Sequence, residues 1–337
     1  MINHFRYIGL YLLPTALITG PFLADLIVSL YALYFIYISA LKRLYKYYNN
    51  YYFYIFFLFY VYILIRSLLS DLPLLSLESS LFYLRYYFFV ACLVYLIDEN
   101  KKIIFYFGIF TFIPILVLSI DSFIQLKTAY NIFGWKRPDS LHITSFFGSE
   151  MILGQYVVRI IPLLIATMLF YNYRKSTLSH IFAFSILVLS TTVTYISGER
   201  TAFFLSIFSF ILFLILIRDF IRIRIFFFAS LILMIVSISL IFPNTHNRIF
   251  NHTVTQMGFV DGNFYVFSKK HQVIYETSLQ MFKDKPLFGY GPKMYREECK
   301  KYKTSLLNPC STHSHNSYLQ LLSETGIIGF TFFFLIF

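Results

Sequence analysis

Charge is scarce in this chain. Only 13% of its 337 residues are Asp, Glu, Lys or Arg, against 58% hydrophobic and 21% aromatic. A soluble core cannot absorb that much apolar surface, so an ordinary water-soluble domain is excluded. Several chemical signatures are missing too: a P-loop, a His-Glu-x-x-His zinc pair and an Asp-x-Asp pair for a nucleotide-sugar metal. A reaction drawing on a soluble nucleotide donor would need such residues, so any donor is expected from the membrane or its outer face. No cofactor, no metal and no nucleic acid is expected as a partner. No internal repeat is visible, and the first seven residues lead directly into an apolar run instead of a cleavable signal.

What the chain does have is apolar runs. They lie near 7–22, 24–41, 51–68, 80–97, 103–124, 151–171, 180–197, 201–217 and 224–242, each about as long as the 17–25 residues that cross a hydrocarbon core. Phe, 42 in number, fills such spans, while the 29 Tyr suit their interfaces. The expectation is an all-α polytopic membrane protein with about ten spans. A last run, 327–337, has only about eleven residues, at about 1.5 Å each too few to cross alone. It either continues a preceding amphipathic helix or begins a span cut short, and the second is expected. This divides the chain into a helix bundle (1–242), one long periplasmic loop (243–314), and a periplasmic helix with the start of a further span (315–337).

Short-loop cations give an orientation. Arg6, Lys42/Arg43/Lys46, Lys101/Lys102, Arg174/Lys175 and Arg218/Arg222/Arg224 fall at every second boundary, which puts the N-terminus and these loops in the cytoplasm. The long loop then faces outward. Its ten Lys and Arg oppose Asp261, Glu276, Asp284, Glu297 and Glu298, a net of about +5 that would attract an anionic lipid or glycan.

Four arginines, Arg66, Arg85, Arg159 and Arg200, lie in or at the ends of apolar runs, all in the outer half of the membrane by this topology. Buried charge is costly there and usually functional. Snorkelling, or pairing with Glu78, Glu150 or Glu199, is the plainer reading and weighs most for Arg66 and Arg85. For Arg159 and Arg200, function is expected. Guanidinium offers a planar fork of donors suited to phosphate, so outward arginines suggest a lipid phosphate or diphosphate.

The most informative stretch is 285–329. Within it, 314–326 reads as a short helix, with Ser314 as N-cap and Gly326 as the stop. Asn316, Gln320 and Glu324 would share its polar face. His315 would then lie in the first turn, where the positive end of the helix dipole disfavours imidazolium and leaves a neutral base beside an anion site. His313 is a weaker candidate. Two histidines two apart also suit a metal, but no acidic or cysteine cluster at ligand spacing accompanies them. Of three cysteines, Cys92 lies in a span, while Cys299 and Cys310 flank residues 300–309 in the outward, oxidising loop and are expected to pair.

Several motifs together resemble the O-antigen ligase and O-antigen polymerase family of bacterial inner membranes. They are Pro286-Leu287-Phe288-Gly289-Tyr290-Gly291-Pro292, then Thr312-His313-Ser314-His315-Asn316-Ser317-Tyr318-Leu319, then Glu324-Thr325-Gly326-Ile327-Ile328-Gly329. Ser197-Gly198-Glu199-Arg200-Thr201 resembles the family's small-polar-Arg turn. Phe146 to Glu150, with Ile152, Leu153, Gly154 and Arg159, is similar as well. The resemblance implies a membrane-embedded glycosyltransferase without a metal, whose donor is a glycan on undecaprenyl diphosphate. The acceptor would be a hydroxyl of lipid A-core or of another glycan. His315 would activate that hydroxyl, and Arg200 with Arg159 and Arg85 would hold the diphosphate. His313, Asn316, Glu324 and Glu150 would support them. A lipid-linked glycan transporter is the rival reading, since it would use the same arginines but need no catalytic histidine.

Overall fold

The structure, a computed structural model, describes residues 2–172, 177–216, 221–259, 262, 264–302 and 310–336. The loop cations Arg174, Lys175 and Arg218, the acid Asp261, and residues 303–309 of the stretch between the two loop cysteines lie outside the described residues. Helices dominate. In chain order they are α1 (Ile2–Ala16), α2 (Pro21–Lys42), α3 (Tyr51–Leu68), α4 (Pro73–Ser80), α5 (Arg85–Glu99), α6 (Lys102–Thr128), α7 (Leu153–Asn172), α8 (Thr177–Ile196), α9 (Arg200–Leu216) and α10 (Ile221–Ile241). Five more follow: α11 (Pro243–His246), α12 (His252–Gln256), α13 (Lys269–Asp284), α14 (Tyr295–Glu298) and α15 (Ser317–Ile336). Among the described residues the extended backbone amounts to one isolated bridge, Tyr130 to Lys136.

This is a polytopic helical membrane protein. Six segments are long and apolar enough to span: Pro21–Lys42, Tyr51–Leu68, Pro73–Glu99, Lys102–Thr128, Ile221–Ile241 and Ser317–Ile336. Leu153–Thr167, His180–Ile196 and Arg200–Leu216 are shorter apolar helices. Large side chains such as Phe22, Leu33, Leu74 and Leu240 stand exposed on these helices. In water that would be a heavy penalty, whereas in lipid it is the expected outer surface.

Two compact units make up the fold. The first comprises Met1–Ile27 and Ile97–Thr253. In it α7 packs on α6, α8 and α9, α10 packs on α8, and α1 lies against α6. Their common core includes Leu118, Val157, Leu164, Phe184, Tyr195 and Phe210. The loop from α6 to α7 is held by the buried end of α6. Asp121 accepts from the N–H of Ile132 (2.7 Å) and the hydroxyl of Ser145 (2.5 Å). Gln125 Oε1 accepts from the N–H groups of Thr144 and Ser145 (2.9 and 2.8 Å). Buried polar groups of a span thus find their partners in loop backbone, as a low-dielectric interior demands.

The second unit comprises Val28–Leu96 and Val254–Phe337. There α15 packs on α3 and α13, and α4 folds back on α3. A small core of Ile274, Met281, Tyr290, Met294, Tyr295 and Cys299 lies beneath the polar segment. Two expectations are corrected here. Gly326 does not end a helix: α15 continues through it to Ile336, with Gly326 as a kink at φ 64° and ψ −171°. The run after residue 327 is therefore the continuation of the preceding helix, and 317–336 together reach spanning length.

Candidate functional site

In the second unit, the kink at Gly326 frees backbone groups that would otherwise bond within α15. The loop after α13 takes them. Ile327 N–H donates to Pro286 O (2.8 Å), while Tyr290 and Gly291 N–H groups donate to Ser323 O (3.1 Å) and Glu324 O (2.7 Å). A side chain at Gly326 would collide with Leu287 O, and one at Gly289 with Glu324 backbone. Both glycines also have positive φ. The Pro-Leu-Phe-Gly-Tyr-Gly-Pro motif and the Glu-Thr-Gly motif are thus two halves of one backbone lock. Arg66 completes it, donating to Phe288 O (2.9 Å) and Gly289 O (2.8 Å), and Tyr62 donates to Thr325 O (2.5 Å). Arg66 is a structural group that satisfies loop carbonyls.

Glu324 is buried in the same lock. Its carboxylate accepts from Tyr295 N–H at the start of α14 (3.0 Å) and from Gln320 (3.3 Å). Its contacts are with protein backbone and with Gln320 on its own helix face. Asn316 differs from the expectation: it is the helix cap and not part of that face, its Oδ1 accepting from the N–H groups of Tyr318 and Leu319 (3.0 and 3.1 Å). Ser314, expected as the cap, is buried and donates to Asn316 O (2.8 Å).

His315 therefore lies before the helix and outside its first turn, in a left-handed backbone conformation at φ 53°. Its imidazole still tends to be neutral, for a different reason. Burial lowers its pKa, and the neighbouring His313, His271 and Lys270 lower it further. Ring centroids are 4.2 Å from His313 and 5.3 Å from His271. Nε2 of His315 is 3.1 Å from Ser311 Oγ, and Nδ1 of His313 is 2.9 Å from Thr312 Oγ1. His271 was missed in the sequence. It sits in the first turn of α13, where Ser268 Oγ caps its N–H and contacts its Nδ1 (2.8 Å); a Ser-x-x-His start gives no hint of a partner 44 residues on. Among the described residues no group of three His, Cys, Asp or Glu is placed to hold a metal ion.

Cys310, five residues before His315, is bonded to Cys299, with Cα atoms 5.3 Å apart. Cys299 is fully buried in the small core, so the bond ties the histidine segment to it. Part of the basic surface nearby is neutralised. Lys293 pairs with Glu78, Lys300 with Glu297 (2.5 Å), and Lys301 with Glu298 (2.6 Å) and Asp71 (3.3 Å). Arg85 belongs to this unit; it contacts Tyr86 OH (3.1 Å) and Ser29 Oγ (3.4 Å), with its guanidinium 5.0 Å from the Tyr86 ring centroid.

Arg159 and Arg200 belong to the first unit, at the turn between α8 and α9. Gly198 has φ 75°, and a side chain there would strike Leu141 O. Glu199 turns its carboxylate onto the start of α7, accepting from Gly154 N–H (2.5 Å) and Gln155 N–H (3.1 Å). This satisfies orphan donors of a helix N-terminus. Burial pushes the Glu199 pKa up to about 7, against those two bonds and the charge of Arg159. Glu199, and not Glu150, is thus the carboxylate near Arg159; Glu150 is exposed, and its backbone shapes the turn. Arg200 has a buried Nη1 with no hydrogen-bond partner. Beside it stands Arg248, another residue missed because it reads as one more loop cation. Arg248 Nε donates to Gly198 O (3.1 Å), and its charge is felt by Arg200.

An all-helical membrane protein bearing an arginine cluster at one turn and a histidine cluster before its last helix defines the class. Residues 185–334 match the family Wzy_C, described as O-antigen ligase. Through this stretch the chain belongs to the O-antigen ligase family. The matched residues take in Arg200, Arg248, His271, His313, His315 and the Gly289–Gly326 lock. Membership implies a ligase or polymerase role in polysaccharide synthesis, with a lipid-linked glycan and an acceptor as substrates. No curated protein and no solved structure matches the chain.

Proposed function

We propose that the protein is a glycosyltransferase at the periplasmic face of the bacterial inner membrane, with its N-terminus in the cytoplasm. It moves a glycan from undecaprenyl diphosphate to a hydroxyl of lipid A-core, as a ligase, or of another glycan, as a polymerase. His315 carries the reading: an exposed imidazole, held neutral by burial of its ring and by neighbouring positive groups, within the stretch that matches the family. It takes the proton of the acceptor hydroxyl as that oxygen bonds to the anomeric carbon. The bond from that carbon to the diphosphate oxygen breaks, and undecaprenyl diphosphate leaves as the anion. Arg200 and Arg159 bind that anion, guanidinium being suited to phosphate oxygens.

Transfer is tested with purified protein in proteoliposomes, using lipid-linked glycan and acceptor without an energy source. Product formed by the wild type and lost in His315→Ala supports the enzyme. Translocation of the lipid-linked glycan without any new glycosidic bond would replace it with a transporter.

A further inference from the structure

Around the Gly198 turn, three side chains beyond Arg200 have no role in the reaction as described. Asp139 and His142 form a carboxylate–imidazole pair, with Asp139 Oδ2 2.8 Å and Oδ1 3.0 Å from His142 Nδ1. Asp139 Oδ1 also accepts from the N–H groups of Leu141 and His142 (2.7 and 2.8 Å), which fixes the carboxylate against its own loop. Although burial acts to raise it, these hydrogen bonds hold the Asp139 carboxyl below its usual range. His142 is only 9% exposed. It packs on Gly198, since a side chain on that glycine would meet His142 Cδ2. The loop is docked there by Ile143 N–H donating to Ser197 O (3.3 Å).

Arg248 reaches the same glycine from the other side of the chain, through its bond to Gly198 O. Asp139 lies near enough to favour its charged form, and Arg200 near enough to oppose it. Two guanidiniums thus stand together with one partly remote carboxylate between them, and Arg200 keeps a buried Nη1 without a partner. Such an arrangement costs energy in the protein alone, because like charges repel and a buried donor is unsatisfied. An anion with several oxygens removes both costs. With Nδ1 engaged by Asp139, His142 presents Nε2, which has no hydrogen-bond partner among the described residues. A carboxylate on one ring nitrogen orients the other toward a ligand, as in catalytic and metal-bound imidazoles. The charged groups around this ring are Asp139, Arg248, Arg200, Glu199 and, through Glu199, Arg159.

We propose that Arg248 and His142, with Arg200, form a binding site for a diphosphate diester, and that Asp139 is the positioning residue for His142. The proposal rests on the reading of the protein as a transferase that uses a lipid-diphosphate-linked glycan, and it adds two ligand-binding residues to that substrate's anionic end. The two guanidiniums take oxygens of both phosphates, and Nε2–H of His142 donates to a third oxygen. A diphosphate supplies enough acceptors for all three groups, whereas a single phosphodiester offers only two unesterified oxygens.

The test is direct binding of P1,P2-dimethyl diphosphate to the full chain in detergent, by calorimetry, since this diester keeps the same charge across neutral pH. Wild type and His315→Ala should bind it equally. Arg248→Gln should bind at least tenfold more weakly, and Arg248→Lys should not restore binding. His142→Gln should lose several-fold. Asp139→Asn should weaken binding like His142→Gln and raise KM for the lipid-linked donor with little change in kcat, and it should add nothing when combined with His142→Gln. Competition by phosphatidylglycerol nanodiscs should be weak; displacement as effective as by the diphosphate would make this a general lipid-headgroup site and overturn the proposal. Melting temperatures identify variants that fail to fold, and His142→Gln decides the matter if Arg248→Gln is one of them. If folded Arg248→Gln and His142→Gln bind the diester as wild type does, the site is wrong, while transfer by His315 is untouched. Diester binding that depends on both residues in a protein that transfers no glycan would uphold the site and end the transferase reading.

Discussion

At the residue scale, His315 shows how a correct chemical expectation can rest on the wrong local geometry. Its place in a first helical turn was inferred from Ser314 as cap, but Asn316 has the better-placed oxygen and moves the helix start past the histidine. The imidazole is held low in pKa by burial first, then by His313, His271 and Lys270. Lower pKa means that the basic form survives to lower pH. The acid limb of kcat/KM should therefore fall below about 6.5, the ordinary imidazole value. Lys270→Gln removes a positive neighbour, makes protonation easier and should move that limb up; a limb unmoved by this change and lying above 6.5 would remove His315 as the base. His315→Ala should cost at least about 100-fold in transfer at matched protein levels, with His313→Ala milder. Arg200→Lys should fail to restore donor affinity, because a point charge cannot reproduce a two-pronged phosphate contact. Wild-type affinity in that variant would make Arg200 a structural charge.

At the element scale, the informative helix is α15. Its apolar content and spanning length are readable from composition, yet Gly326 reads equally well as a stop and as a kink. The difference depends on what Leu287, Phe288 and Gly289 do 40 residues earlier in the chain. Since φ 64° with ψ −171° is open almost only to glycine, Gly326→Ala should destabilise by about 1–3 kcal/mol from backbone strain alone. The collision with Leu287 O adds to this. A fall in melting temperature and faster proteolysis in detergent would register it, and an unchanged melting curve would show that the lock contributes little. Asn316→Ala should cost about 1 kcal/mol as a lost helix cap.

At the scale of the whole molecule, the polar segment before α15 is stabilised by the bond between Cys299 and Cys310 as well as by its small core. Closing so short a loop is worth about 3 kcal/mol in the chain-entropy model. Because Cys310 lies next to Ser311, which contacts His315, reduction should lower transfer more than it lowers helix content by circular dichroism. Thiol labelling in unreduced membranes checks the bond itself: both loop thiols should be protected until reductant is added, whereas free reaction of both would remove it. Labelling with a membrane-impermeant reagent after reduction reports the side on which the segment lies.

By itself, the sequence determined the class of the protein. A chain with this little charge and this many apolar runs has to satisfy its backbone within helices and present its side chains to lipid, and local composition suffices for that inference. Motif spacing also pointed to the family, to His315 and to Arg200. Only the tertiary structure decided which polar groups are neighbours. It put Arg66 and Glu324 into the backbone lock, Glu199 on the start of α7, His271 beside His315, and Arg248 with the Asp139–His142 pair at the Gly198 turn. Each of these contacts joins residues from separate elements. No periodicity or local propensity encodes such pairings, because hydrogen bonds and charges act over a few ångströms in space and not over intervals along the chain.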